Sequence, residues 1–268
     1  MISNLPDAGA EPGGRRPNVA NPSLLDAAIE RGGLHPFFHA KISIATGKVA
    51  GAEALARIAS GQVLSAPGPY VELAERNNRI DALTLAMARA TAKHVADFNT
   101  VKDLPCSINI SPVSLERPDF AGQISAAICE SGLKCNQFTL ELTGNRDTYY
   151  GTKAFETMGA LRALGFGLSV DDFGAGSTNI DRLKNYPFTE VKIDPAFTRL
   201  AMEEAFAKAA MVSCVRLARD LGMRVVAEGV ETREMLEFMT WLKVDETQGF
   251  FLSKPLPPAE FKALLAKG

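Results

Sequence analysis

The chain is poor in the residues that usually announce a metal or a disulfide. It has three histidines, His35, His39 and His94, and none forms an H-x-H or H-E-x-x-H pair. That excludes the common His-rich zinc sites. Its four cysteines, Cys106, Cys129, Cys135 and Cys214, make no C-x-x-C pair. So few cysteines in 268 residues do not build a disulfide framework, and reduced thiols in the cytoplasm are the expectation. No sign of charge dominates: 29 Lys+Arg stand against 31 Asp+Glu, a net charge of −2. A nucleic-acid duplex is therefore not the expected partner. Long apolar runs are missing too. Ala82–Phe98 is broken by Arg89, Lys93 and His94 and falls short of the roughly 18 residues that span a membrane, so no membrane insertion is expected. Residues 1–20 are polar and rich in Gly and Pro, unlike a signal peptide. No G-x-x-x-x-G-K-[ST] run and no H-R-D loop occur, which excludes a P-loop and a kinase. Any metal must be held mainly by oxygen, which points to Mg²⁺, Mn²⁺ or Ca²⁺.

What is present is a polar start and an alternating body. Residues 1–22 read as a flexible tail with Pro6, Pro12, Pro17 and Pro22 among glycines. Residues 23–268 read as one domain, with no internal repeat and 46% hydrophobic residues over the whole chain to fill a core. Strand-like runs are Phe37–Ile44, Val49–Ile58, Cys106–Ser111, Phe138–Thr143, Gly167–Asp172, Glu190–Asp194, Arg224–Val230 and Thr247–Leu252. Helix-like runs lie between and after them, near Pro69–Arg76, Ala82–Phe98, Phe120–Glu130, Lys153–Leu164, Asn179–Tyr186, Glu203–Leu221, Arg233–Leu242 and Pro258–Ala266. This alternation predicts an α/β fold, a TIM-like (β/α)8 barrel. Only Ala45-Thr46-Gly47-Lys48 joins the first two strands. A parallel crossover needs a dozen residues or more, so one of the two runs antiparallel to the rest.

Strand side chains alternate faces. Cys106, Ile108 and Ile110 oppose Ser107, Asn109 and Ser111; Phe138, Leu140 and Leu142 oppose Thr139, Glu141 and Thr143; Val191 and Ile193 oppose Lys192 and Asp194. If the apolar faces meet the helices, the polar faces line the barrel. Glu53, Asn109, Glu141, Asp171, Asp172, Lys192, Asp194 and Glu228 then gather toward the C-terminal strand ends, where such barrels place their chemistry. Bare carboxylates repel one another in a small buried volume. One or two divalent cations remove that cost, and a pair suits in-line displacement at phosphorus.

The motifs that carry these residues resemble the EAL domains, bacterial cyclic-di-GMP phosphodiesterases. They are Gly51-Ala52-Glu53-Ala54-Leu55-Ala56-Arg57, Asn109-Ile110-Ser111, Glu141-Leu142-Thr143, Asp171-Asp172-Phe173-Gly174-Ala175-Gly176, Val191-Lys192-Ile193-Asp194, Ala227-Glu228-Gly229-Val230-Glu231-Thr232 and Gln248-Gly249-Phe250, in family order. The resemblance implies a barrel of the EAL type with one antiparallel strand and a two-metal site for Mg²⁺ or Mn²⁺. By resemblance, Glu53, Asn109, Glu141 and Asp171 match the first metal site. Asp171, Asp172 and Glu228 match the groups around the second metal and the attacking water. Glu228 matches the general base, and Lys192 the lysine that positions the water. Arg57 matches a contact to a substrate phosphate, and Asp194, Glu231 and Gln248 match supporting polar positions. A homodimer is implied in the same way.

The chain also departs from the family. His39-Ala40 stands where Gln-Pro is usual, so that His39 either faces the substrate or is a satisfied barrel-mouth histidine with no ligand contact. Gly144 follows Thr143 where a second glutamate is usual, and the loop after the Asp pair reads Ser177-Thr178-Asn179 instead of an aromatic and two serines. The expected function is hydrolysis of cyclic-di-GMP to linear pGpG, with turnover weakened by these departures. The alternative is a degenerate domain acting as a cyclic-di-GMP receptor or a protein-interaction module.

Overall fold

Period-two alternation builds strands that pair into one sheet, and the sheet closes on itself. The computed structural model describes residues 21–60, 63–99, 101, 103–143, 150–174 and 180–267. In chain order the elements are α1 (Pro22–Glu30), β1 (Leu34–Ser43), β2 (Val49–Ser60), β3 (Val63–Ser65), α2 (Gly68–Arg76), α3 (Ile80–Phe98), β4 (Cys106–Ile110), α4 (Pro112–Leu115), α5 (Phe120–Cys129), β5 (Phe138–Thr143), α6 (Thr152–Ala163), β6 (Gly167–Phe173), α7 (Ile180–Asn185), β7 (Glu190–Ile193), α8 (Pro195–Glu203), α9 (Ala205–Asp220), β8 (Arg224–Ala227), α10 (Arg233–Leu242), β9 (Glu246–Thr247) and α11 (Pro258–Leu265).

The barrel order is β1-β9-β8-β7-β6-β5-β4-β2, and a β1–β2 pairing closes it. The antiparallel strand is β1, opposed in direction to both β2 and β9. The short hairpin had required that one of the first two strands be antiparallel. The remaining barrel strands are parallel, so their C-terminal ends share one mouth. The extra strand β3 pairs only with β2, outside the ring.

Apolar strand faces point outward to the helices, as expected. Phe38 of β1 meets Phe98 of α3 edge-on at 4.8 Å and Phe261 of α11 at 5.5 Å, all fully buried. Burial of each such ring contributes about 1.5–3 kcal/mol. This cluster seats β1 against helices from distant parts of the chain.

Some boundaries differ from the expectation. The run Thr247–Leu252 is strand only at Glu246–Thr247. Gly249 lies so close to the Val230 backbone that a Cβ has no room, and the chain turns there. The run Glu203–Leu221 begins its helix at Ala205, because Glu204 is extended and ends α8. That earlier helix starts at Asp194, whose carboxylate accepts from the N–H groups of Ala196 and Phe197 at 2.6 and 3.1 Å. Helix α1 begins at the end of the expected tail, with Asn21 capping Ser23 N–H and Pro22 in the first turn. The rest of that tail lies outside the described residues. Among the described residues, no helix is long and apolar enough to cross a membrane.

Candidate active site

The inward faces stack in layers. Strand pairing sets His39 opposite Glu53, Glu53 opposite Ser107, Asn109 opposite Glu141, and Lys192 opposite Val226. In the layer toward the open mouth, Asn109 Nδ2 donates to Glu53 Oε1 at 2.9 Å, and Gln248 Nε2 approaches Glu53 Oε2 at 3.3 Å. The layer is centred on one ammonium. Lys192 Nζ lies 2.7 Å from Glu141 Oε2, 2.9 Å from Glu228 Oε1, 3.1 Å from Asp171 Oδ1 and 3.4 Å from Glu53 Oε2.

A strict period of two sends Asp171 and Asp172 to opposite faces. The structure solves this with a bulge. The β6–β7 register slips between Val170 and Phe173, and Asp172 takes a left-handed φ of 55°. Aspartate is one of the few residues that adopt this conformation readily. Both carboxylates therefore turn to the mouth, and Asp171, Asp172 and Glu228 each offer an oxygen within 4.8 Å of the others. The bulge ends in Gly174, where φ is 99° and a Cβ would run into the Phe197 ring.

The charges do not balance. An ammonium has three protons, and here it faces four carboxylates with Asp172 beside them. The imbalance is visible in the acids. Burial, with Glu141, Asp172 and Glu53 nearby, pushes Asp171 from 3.8 up to about 7 against the pull of Lys192. Burial and Asp171 likewise raise Glu228 well above its usual range. Burial works against Glu141 as well, but Lys192 and Lys41 outweigh it and hold that acid down at about 2. Asp171 Oδ1 is buried without a hydrogen bond despite its nearness to Lys192, and so is Gln248 Oε1. Surplus negative charge, orphaned buried oxygens and an all-oxygen donor set fit hard divalent cations.

The other sequence-selected residues divide. His39 is buried in the wall, its Nε2 3.0 Å from the Ser253 carbonyl, and burial lowers its pKa despite Glu53. Arg57 sits over the Phe37 ring at 5.4 Å and donates to the Ala56 carbonyl. Asp194 spends its carboxylate on capping α8, and Glu231 pairs with Arg199 at 3.6 Å on the exposed rim. Glu231 frames the site, while the charge of Asp194 still bears on Asp172 and helps burial to raise that acid. Gly144 and Ser177–Asn179 lie outside the described residues.

Sequence reasoning missed the floor of the barrel. Lys41 of β1 donates to Ser107 Oγ, Glu141 and Glu190; Glu190 and Glu246 share Arg224, each at 2.9 Å. The available signal was inward alternation, since Lys41 lies two residues from His39, and Glu190 two from Lys192.

A family model described as "EAL domain" matches residues 23–255. The oxygen sensor protein DosP of Escherichia coli is 32% identical over 243 residues, which is 89% of this chain and 30% of that protein. The cyclic di-GMP phosphodiesterase RocR of Pseudomonas aeruginosa is 29% identical over 246 residues, 90% of this chain and 62% of RocR. The chain thus spans less than two thirds of either relative. Among solved structures, the PaMucR phosphodiesterase in complex with c-di-GMP superposes with a TM-score of 0.81 at 28% identity, covering 88% of this chain and 97% of that one.

Proposed function

Because the chain belongs to the EAL domain family, we propose that it is a metal-dependent phosphodiesterase that opens cyclic-di-GMP to linear pGpG. The observation that carries this reading is the convergence of four carboxylates on Lys192 at one mouth of the barrel, with the bulge adding Asp172. Glu53, Asn109, Glu141, Asp171 and Asp172 would hold two Mg²⁺ or Mn²⁺ ions, which when bound offset phosphate charge and acidify water. Glu228, at the mouth beside Asp171 and 2.9 Å from Lys192, takes the proton of the attacking water. Lys192 orients that water and offsets negative charge developing at phosphorus. Arg57, half-buried on Phe37, turns its charge to a substrate phosphate. His39 and Gln248 line the cavity wall, while Asp194 and Glu231 fix the α8 rim. The four free thiols accord with a cytoplasmic location.

Gly144 and the Ser177–Asn179 loop favour a second reading, a receptor that binds the dinucleotide and turns it over slowly. Incubation with cyclic-di-GMP and Mn²⁺ followed by chromatography decides. Formation of pGpG that EDTA abolishes supports the enzyme. Thermal stabilisation by the dinucleotide without pGpG supports the receptor. Neither response leaves an interaction module.

A further inference from the structure

Lys192 faces more carboxylates than it has protons; Lys41, one layer below, has no such mismatch. Its ammonium sits 2.7 Å from Ser107 Oγ, 3.0 Å from Glu141 Oε1 and 3.1 Å from Glu190 Oε1. Three donors meet three acceptors, so the group is locked against rotation. The acceptors lie on β4, β5 and β7, and the lysine on β1. It therefore pins β1 and β7 to the adjacent pair β4–β5 across the barrel interior. Glu190 is itself held from below by Arg224 at 2.9 Å. Arg224 is half-exposed at the barrel floor, while Lys41, Glu141 and Glu190 are buried.

What the pin fixes is Glu141. One oxygen of that carboxylate is taken by Lys41 and the other by Lys192. Without Lys41, both oxygens are free to swing onto Lys192. We propose that Lys41 is a positioning residue for the metal site: it holds one oxygen of Glu141 so that the other is presented to the mouth. This rests on the reading of Glu141 as a metal ligand. Two effects oppose each other. Loss of a neighbouring positive charge strengthens attraction for a cation. Loss of a partner that orients a ligand commonly weakens metal binding about 10–100-fold. Positioning wins here, because Lys41 is saturated and the carboxylate it holds is fully buried, with no water to replace the lost donor.

The test uses the full chain, its Lys41→Met and Glu190→Gln variants, and Mn²⁺ as probe, read by the electron-spin signal of the free ion. Lys41→Met should bind Mn²⁺ about ten-fold more weakly or worse. Its turnover of cyclic-di-GMP should recover toward the parental kcat at saturating Mn²⁺, with KM for the dinucleotide little changed. A merely structural role lowers the folded fraction and does not move the Mn²⁺ requirement. Glu190→Gln leaves Glu141 intact and loosens only the peg; it should shift the requirement in the same direction by less. If Lys41→Met fails to fold, that variant decides. Mn²⁺ affinity unchanged or tightened in the deciding variant overturns the proposal and leaves Lys41 a countercharge. A parent that binds no Mn²⁺ overturns the reading of the site itself, and the positioning role with it.

Discussion

Removing divalent cations should make the protein less stable as pH rises from acid to neutral, the reverse of ordinary acid denaturation. Asp171 drives this. Its ordinary pKa of 3.8 is pushed up to about 7 by burial, then by Glu141, Asp172 and Glu53. Between those values the folded protein keeps a proton that the unfolded chain has released. Stability is then unaffected below 3.8 and falls with rising pH across the window. A gap of this size corresponds to on the order of 4 kcal/mol. Glu228 has the same sign. Glu141 has the opposite one: held down at about 2 from 4.5, it contributes stability above 4.5 that is lost as pH falls toward 2. Its effect is nearly complete where that of Asp171 begins, so it does not mask it. About 3 kcal/mol of this gap falls between pH 4.5 and 7, so at about 2–4 °C per kcal/mol for a domain of this size Tm in EDTA should drop by roughly 6–12 °C across that range. Saturating Mn²⁺ should flatten or reverse the slope, and Asp171→Asn should make it shallower, leaving the share that burial of Glu228 contributes. Differential scanning calorimetry across that range is the assay. A chelated protein whose Tm holds steady, or an Asp171→Asn variant with the parental slope, would refute the reasoning.

The bulge allows a sharper comparison: Asp172→Asn suits a left-handed φ and should keep parental stability, whereas Asp172→Val should lose about 1–2 kcal/mol beyond it in urea titration. Gly174→Ala places a methyl against Phe197 at a φ of 99° and should lower Tm by several degrees while misplacing Asp172, read as weaker Mn²⁺ binding. Glu53→Ala, Asn109→Ala and Asp171→Ala should each remove Mn²⁺-dependent turnover, and Lys192→Ala or Glu228→Ala should lower kcat about 100-fold or more in the pGpG assay. Burial lowers the pKa of His39 from its ordinary 6.5, so the contribution of this group to the pH dependence of dinucleotide affinity falls below that value. Titration calorimetry at about pH 5.5 should show it in the parent and not in His39→Gln.

The inward polar faces of β4, β5 and β7 were legible because Asn109, Glu141 and Lys192 each alternate with apolar neighbours. That one of β1 and β2 runs against the rest was legible from the length of one hairpin, but not which of the two. Less local features were not. Lys41 meets Glu190 across 149 residues, and no pattern within a strand announces that pairing. Asp172 breaks the very period that places Asp171. The run after Thr247 is apolar enough for a strand, yet close approach of Gly249 to Val230 turns it away. The cap of α8 lies in Asp194-Pro195, a local signal that the face alternation of β7 does not carry.

The closing seam of the barrel joins the two ends of the domain. Ile42 and Ser43 pair with Thr247 and Glu246, and Phe38 bridges Leu256. Bringing together segments about 200 residues apart carries a loop-closure cost of about 5 kcal/mol, before any contact offsets it. The β1–β2 hairpin is local and can form early, but it must wait for β9 and α11. Until then β1 and β9 are unpaired edges open to association with other chains. His39 and Glu53 stand on one side of the seam and Gln248 on the other. A half-open barrel therefore lacks part of its catalytic wall. In a refolding experiment, turnover should return with the slowest phase, so that activity reports the completed ring and not the helices and strands that precede it.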